Sequence, residues 1–137
     1  MVDEKLADEE LADMAKQRTQ CLVALAAIGA EAVFVGYSGE GDSGDIAIEY
    51  TQWQAGKGPR GVKNDRFDVN TANLNDAATE AGLGPFQSVY RDGNSRRLAE
   101  LTLDKLLLET VELMVERYHR GYENNDGGGG LVRFLAL

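Results

Sequence analysis

The sequence predicts an α+β protein with an antiparallel sheet, and three patterns carry this prediction. Apolar residues recur with helical spacing over residues 3–28 and 102–120, which predicts two main helices. Two segments of alternating polarity, 31–37 and 45–53, are joined by a glycine-rich turn and predict a β-hairpin. A final apolar segment, 131–137, predicts a third strand in the same layer. Both helices are expected to pack against one face of this layer.

The composition fits one globular domain over residues 1–137. Of the 137 residues 43% are hydrophobic, which is enough for one core and leaves little room for a second. We expect no contact with a membrane, because the chain has no apolar stretch of about 18 residues. The acidic N-terminus does not resemble a secretory signal, and Cys21 has no second cysteine to pair with. Together these features predict a reducing, cytoplasmic location.

The net charge of −9 disfavours nucleic acid as a direct partner. The acidic residues are concentrated in residues 1–13, which contain six acidic residues and one basic residue. At the start of a helix such carboxylates interact favourably with the helix dipole and keep the chain soluble. The alternative interpretation is a mimic of phosphates, which would make the chain an acidic inhibitor of a nucleic-acid-binding protein.

The two predicted helices each have a core-facing stripe. In the first, Gly29 is expected to end the helix, and the apolar residues near helical spacing are Leu11, Met14, Cys21, Leu22, Leu25 and Ile28. The second begins after Thr102, which is a good N-cap residue. Its stripe consists of Leu107, Leu108, Val111, Met114, Val115 and Tyr118.

Alternation within the hairpin predicts which side chains share a face. One face is expected to carry Val33, Val35, Tyr37, Ile46, Ile48 and Tyr50. Glu49 and Thr51 are expected on the opposite face. Four glycines of the connecting segment, Gly36, Gly39, Gly41 and Gly44, are expected to supply positive φ angles.

The hairpin turn also contains two motifs known from functional sites. Residues 41–44 read G-D-S-G, as around the nucleophile of trypsin-like proteases, and residues 39–44 match the dinucleotide fingerprint G-x-G-x-x-G. Asp42 and Asp45 would repel a developing oxyanion at Ser43 or a phosphate. The fingerprint also requires a helix after the glycines, whereas the sequence here alternates as a strand. We therefore interpret the motifs as a turn and predict no catalytic residue and no cofactor.

The middle of the chain predicts smaller elements. Residues 54–68 contain glycine, proline and four basic residues, which is typical of a flexible basic surface loop. Residues 71–82 predict a short helix that ends near Gly82. The pair Asp92-Gly93 predicts the turn of a second hairpin.

Two acidic loops offer oxygen ligands of the kind that calcium prefers. The first contains Asp42, Ser43 and Asp45, and the second contains Glu123, Asn124, Asn125 and Asp126. His119 and Glu123 have the i, i+4 spacing of transition-metal ligands, but Gly121 interrupts the helix between them. Neither loop has the ligand pattern of an EF-hand, so turn and cap chemistry is the favoured interpretation and no metal site is predicted.

Residues 39–44 and 119–127 carry two motifs, G-x-G-D-S-G between strands and H-x-G-Y-E-N-N-D-G after a helix. Together they resemble the signature of a family of small bacterial domains of unknown function, which is associated with plasmids, phages and other mobile elements. The resemblance covers residues 22–50 and 100–134. Tyr122 stands where the family has tryptophan, and the family usually continues into one further strand. Because the family has no assigned reaction, the resemblance implies no catalytic residue.

These observations favour a small, soluble, non-enzymatic interaction or regulatory domain that serves a mobile genetic element. The alternatives are the acidic inhibitor and a metal-assisted enzyme that uses the two loops. The predicted recognition surface consists of Asp42, Ser43, Asp45, His119, Tyr122, Glu123, Asn124, Asn125 and Asp126. We expect a protein partner, and the apolar strand 131–137 must be covered either as an inner strand or by a second subunit in a homodimer.

Overall fold

The computed structural model describes residues 4–40, 43–57, 67–92, 95–118 and 128–136. Three helices and six strands occur in these ranges. In chain order they are α1 (Glu4–Ile28), β1 (Ala30–Glu40), β2 (Ser43–Trp53), β3 (Phe67–Asp68), α2 (Ala72–Glu80), β4 (Phe86–Asp92), β5 (Ser95–Leu101), α3 (Leu103–Tyr118) and β6 (Gly128–Leu135). The strands form a four-stranded antiparallel sheet in the order β3-β2-β1-β6 and a separate hairpin of β4 and β5.

The predicted α+β class is confirmed, with α1 and α3 packed on one face of the larger sheet. The core between them joins residues from both helices and from alternate positions of the strands. Its fully buried members include Cys21, Leu25, Val33, Val35, Trp53, Leu74, Leu106, Leu107 and Val111. No helix in the described ranges has both the length and the apolarity that a membrane crossing requires.

The ends of the helices agree closely with the sequence pattern. Gly29 follows α1 with a φ of 82°, and Gly82 follows α2 with a φ of 73°, so both glycines adopt the left-handed conformation expected of a helix stop. Tyr118 is the last described residue of α3, and the predicted end at residue 120 lies outside the described ranges. The second hairpin, β4–β5, is also confirmed, with Asp92 paired to Ser95.

The larger hairpin differs from its prediction in one decisive respect. Its register runs from Val35–Ile48 directly to Phe34–Tyr50, so Glu49 is an extra residue that forms a β-bulge in β2. A bulge reverses the face on which the following residues lie. The prediction that Tyr50 shares a face with Ile48 is therefore wrong, and so is the prediction that Thr51 lies on the opposite face, because Thr51 pairs with Val33 and is buried.

Two further expectations are corrected by the sheet topology. Neither Gly36 nor Gly39 has a positive φ, because both lie within β1, where Gly36 pairs with Ala47 and Leu131 and Gly39 pairs with Gly44 and Gly128. The C-terminal strand begins at Gly128 instead of residue 131 and lies at the edge of the sheet, so of the two predicted ways of covering it the inner position is wrong and the second subunit stays a prediction. Residues Phe67–Asp68, which the sequence places at the end of a loop, form β3.

Side chains of α1 cover the outer edge of β4. The amide of Gln20 donates to the carbonyl of Gln87 over 2.9 Å and accepts from the Gln87 N–H over 3.2 Å. The Val89 N–H donates to Oε1 of Gln17 over 3.3 Å. Because Gln17 is buried and its Nε2 has no partner, this edge is satisfied at the cost of one unpaired donor.

Asp68 links β3, the core and the start of α2. Its Oδ2 accepts hydrogen bonds from Nε1 of Trp53 over 3.4 Å and from Nδ2 of Asn73 over 2.6 Å, while its Oδ1 accepts from the Asn70 N–H over 2.9 Å. Trp53 is buried, so its indole N–H depends on this carboxylate.

A second carboxylate organises the start of α3. Thr102 precedes the helix as predicted, but its hydroxyl donates to Oδ1 of Asp104 over 2.5 Å instead of accepting a backbone N–H. The same oxygen accepts the Lys105 N–H over 2.7 Å. Partial burial by itself raises the pKa of Asp104, but hydrogen bonds from Thr102, the Asn75 side chain and Lys105, with the charge of Lys105, outweigh it, so the pKa is lowered.

We expect Asp68→Ala to lower the free energy of unfolding by about 2 kcal/mol, because the substitution removes three hydrogen bonds and leaves the buried indole N–H unpaired. Urea unfolding followed by tryptophan fluorescence measures the change. The exposed Asp76→Ala on α2 is the matched control and should change stability by less than about 0.5 kcal/mol. Equal losses for the two variants would contradict the role of Asp68.

Asp104 should make a pH-dependent contribution to stability. Because its pKa is lower folded than unfolded, its contribution is present above the ordinary value of 3.8 and disappears as the pH falls through the folded pKa. The stability difference between wild type and Asp104→Asn should therefore be nearly constant above about pH 5 and shrink as the pH falls below 3.8. Denaturant titrations at several pH values measure it, with exposed Asp76→Asn as background. A difference that is independent of pH would refute this assignment.

Candidate interaction surface

Most of the predicted recognition residues lie outside the described ranges. These are Asp42, His119, Tyr122, Glu123, Asn124, Asn125 and Asp126. Of the remaining two, Ser43 is the first residue of β2, and Asp45 is exposed and paired with Ser38. Among the described residues, no group of three metal-ligating side chains is clustered.

The described ends of the two predicted loops meet at one end of the sheet. Gly39 pairs with Gly44 across the hairpin and with Gly128 at the start of β6. The chain therefore enters β6 directly beside the turn that joins β1 and β2. This places the flanks of both motifs together, whereas contact between the side chains of the two loops stays a prediction.

The larger sheet has one face against the helices and one face away from them. Val33, Val35 and Phe134 lie in the core on the helix side. The opposite side, here called the open face, carries the apolar residues Phe34, Tyr50, Phe67, Leu131 and Leu135 and the polar residues Ser38, Asp45, Glu49, Gln52 and Arg133. No described helix packs its core residues against this face. The sequence pattern does not predict this apolar surface.

Three aromatic rings form the centre of the open face. Phe34 and Tyr50 are paired across β1 and β2, and their ring centroids stack at 4.4 Å with an interplanar angle of 23°. Phe67 meets Tyr50 edge-on at 5.4 Å and 72°. Rings packed in this way lose rotamer freedom before any partner arrives, so they form a pre-ordered apolar platform.

Aliphatic side chains of β6 extend this platform to the edge of the sheet. Leu131 is 57% exposed and Leu135 is 51% exposed, although both belong to a regular strand. Phe67, at the opposite side of the platform, is 50% exposed. Large apolar side chains grouped on one face with this exposure are typical of a protein-binding site rather than of an ordinary monomer surface.

Two opposite charges flank the apolar residues. Arg133 pairs with Phe34 in the ladder, and Leu131, two residues earlier in β6, pairs with Gly36. A Cβ atom at Gly36 would collide with Oε1 of Glu49, so the Glu49 carboxylate lies over this glycine. Arg133 and Glu49 are both exposed, and neither forms an ion pair within the part of the chain that the structure describes.

The backbone of β6 presents unpaired hydrogen-bonding groups at its outer edge. The Ala136 N–H donates to the Glu31 carbonyl over 3.0 Å, which fixes the phase of the antiparallel ladder. Even-numbered residues of β6 consequently direct their N–H and C=O groups towards β1. The odd-numbered residues Gly129, Leu131, Arg133 and Leu135 direct theirs outward, where no described strand pairs with them.

The other edges of the two sheets are protected. The outer edge of β4 is covered by Gln17 and Gln20, as described above. The outer edge of β2 carries the Glu49 bulge, and a bulge and charged side chains are devices that discourage strand pairing. Edge strand β5 carries Arg97 and Glu100 on either side of Leu98. By contrast, β6 is regular, no described element covers its outer edge, and Arg133 is its one charged side chain.

Cys21 does not contribute a reactive group to any surface. It is fully buried in α1, and its Sγ lies 3.6 Å from Oγ1 of Thr110. Burial raises the pKa of its thiol to about 11, an effect that the hydrogen bond with Thr110 only partly offsets. The thiol is therefore protonated at neutral pH, so its role is packing and not nucleophilic chemistry.

The fold and the open face together define the class of the molecule, an α+β protein with an exposed, partly apolar sheet surface. Comparison with known proteins adds no relative: no protein-family model, no curated protein and no solved structure matches this chain. The resemblance carried by residues 39–44 and 119–127 therefore stays a prediction from two motifs.

Cys21 should resist thiol reagents in the native protein. A pKa of about 11 instead of the ordinary 9.0 lowers the thiolate fraction at pH 8 about 100-fold, and burial adds steric protection. Reaction with a disulfide reagent, followed by absorbance, should be at least about 100-fold slower than in guanidinium chloride. Labelling of the folded protein at the rate of the unfolded chain would contradict the buried position.

Proposed function

We propose that this chain is a non-enzymatic protein-interaction domain that binds its partner through the open face and the outer edge of β6. The observation that carries the proposal is the exposure of Leu131 and Leu135 on a regular strand whose edge has no described partner. Binding of another protein at this site is favourable, because it removes the apolar side chains from water and gives the unpaired backbone groups hydrogen-bond partners.

The chemistry of the surface supports binding rather than catalysis. Nucleophilic catalysis needs a nucleophile, a base and an orienting group within hydrogen-bond reach. On the open face, the described polar side chains are Ser38, Asp45, Glu49, Gln52 and Arg133, and Gln52 donates to Glu31 over 3.2 Å. This set surrounds an aromatic platform, which is the usual arrangement of an apolar interface centre with a polar rim.

The sequence features are compatible with this role. A family without an assigned reaction, to which the two loop motifs point, fits a regulatory protein of a mobile element. The buried, unpaired Cys21 fits a reducing cytoplasmic setting. The described flanks of both motifs meet at Gly39, at the end of the same sheet.

Lysine at the exposed leucines should abolish partner binding without unfolding the domain. In Leu131→Lys or Leu135→Lys, a charge would have to be buried in the interface, so affinity should fall at least about tenfold, equivalent to ~1.4 kcal/mol. The matched control is Leu98→Lys, because Leu98 is 60% exposed on the other sheet.

The measurement is capture of partners from a lysate of the source organism by tagged wild type and the three variants, with circular dichroism as a check on folding. Proteins retained by wild type and the Leu98 variant but lost from both β6 variants are the expected result. Equal capture by all four proteins would exclude the open face as the binding surface.

A further inference from the structure

We propose that the partner bound at this surface is a second copy of the chain, joined through antiparallel β6–β6 pairing about a twofold axis at Val132. The inference rests on the proposed function, and it specifies the partner and the register. The paired sheets would become one continuous eight-stranded sheet, with both open faces on the same side.

The phase of the existing ladder selects the register. Two copies of one antiparallel edge strand are related by a twofold axis perpendicular to the sheet, so paired residues have numbers of equal parity and share a face. The outward groups belong to the odd-numbered residues from Gly129 to Leu135. Only an axis at Val132 pairs all four of them, Gly129 with Leu135 and Leu131 with Arg133 of the second copy.

Neighbouring registers satisfy fewer groups. An axis at Arg133 leaves Gly129 without a partner and places two guanidinium groups directly opposite each other. An axis at Leu131 places the outward groups of Leu135 past the end of β6 in the second copy, so they have no described partner. The axis at Val132 also sets each Leu135 beside the glycine at position 129, where the absent side chain leaves room for it.

Charge complementarity identifies a second copy as the occupant. In this register Arg133 lies beside Leu131 of the second copy, and the next strand at that level contains its Gly36. The Glu49 carboxylate lies over that glycine. The two Cα positions of Arg133 and Gly36 are two strand spacings apart, about 10 Å, which an arginine side chain bridges along the Leu131 side chain.

The twofold axis produces this contact twice, so each Arg133 meets a Glu49 of the other copy. Both residues are exposed and lack an ion-pair partner in the described part of the chain. The arrangement is self-complementary, because each molecule carries the basic residue on its edge strand and the acidic residue two strands inward. The distance from the edge to the acidic residue matches the reach of the arginine of the second copy. An unrelated strand would match this spacing only by coincidence.

Charge reversal tests the pairing directly. Wild type should sediment as a dimer of twice 14.9 kDa at micromolar concentration in analytical ultracentrifugation. Arg133→Glu and Glu49→Arg should each weaken dimerisation at least about tenfold, and the double variant should return to within about threefold of wild type. Lys16→Glu, an exposed reversal on α1, is the control and should leave the dimer unchanged.

A monomeric wild type at about 100 µM would overturn the inference, as would a double variant no tighter than the weaker single variant. Loss of dimer in the Lys16 control to the same extent would also overturn it, because a general effect of charge would then explain the series. Circular dichroism of each variant confirms that the comparison is made between folded proteins.

Proline scanning tests which backbone groups are used. Leu131→Pro removes an outward N–H and should give a monomer of nearly unchanged melting temperature. Val132→Pro removes an N–H directed towards β1 and should lower the melting temperature instead. A Leu131→Pro variant that still dimerises would rule out pairing through β6.

The two proposals fail in different ways. A monomeric wild type that still captures another protein, with capture lost in Leu131→Lys, overturns the second copy as partner and leaves the interaction domain intact. If wild type is a monomer and Leu131→Lys captures the same proteins as wild type, both the dimer and the interaction domain are overturned. A dimer with charge-reversal rescue supports both.

Discussion

The extra residue in β2 determines what the sheet presents on each side. With Glu49 bulged, Ile46 and Ile48 lie towards the helices before the bulge, and Thr51 lies towards them after it. Without it, every residue from position 50 to the end of β2 would exchange faces. The hydroxyl of Thr51 would then lie in solvent, and Tyr50 would lie against the core.

The bulge connects the core to the open face through Trp53 and Tyr50. Trp53, at the end of β2, is buried and reaches Asp68, which in turn binds Asn73 in α2. Tyr50, on the opposite face, stacks on Phe34 and meets Phe67. The register shift at Glu49 thus sets both the face of Trp53, which reaches the anchor of α2, and the face of Tyr50 in the aromatic platform.

Local patterns explain which parts of this structure could be predicted from the sequence. Helical spacing and glycine stops act within a few residues, so α1, α2 and α3 were placed within a few residues of their observed bounds. Strand alternation predicted the hairpin for the same reason. The bulge could not be predicted, because it follows from packing on both sides of the sheet. The predicted faces of Tyr50 and Thr51 are therefore the reverse of the observed ones.

The candidate site could be predicted only where a local sequence pattern indicates it. Glycine-rich sequence predicted a turn, and the register then brought Gly39 beside Gly44 and Gly128. The open face had no comparable local signal, since Phe34 lies between two residues that already fit the core face. The edge position of β6 depends on strand order, which is a property of the whole chain and not of residues 131–137.

Arg133 limits the strands with which the exposed edge of β6 can pair. A regular edge with two exposed leucines would pair with any available strand if nothing opposed it, and charged residues are the usual protection. A charge on the edge disfavours every register that buries it unpaired or sets it against its own copy. Only a register that supplies an acidic partner escapes this penalty, and the bulge that turns Glu49 over Gly36 supplies one. In the proposed dimer, the residue that interrupts the sheet internally is therefore the one that would pair with Arg133 of the second copy.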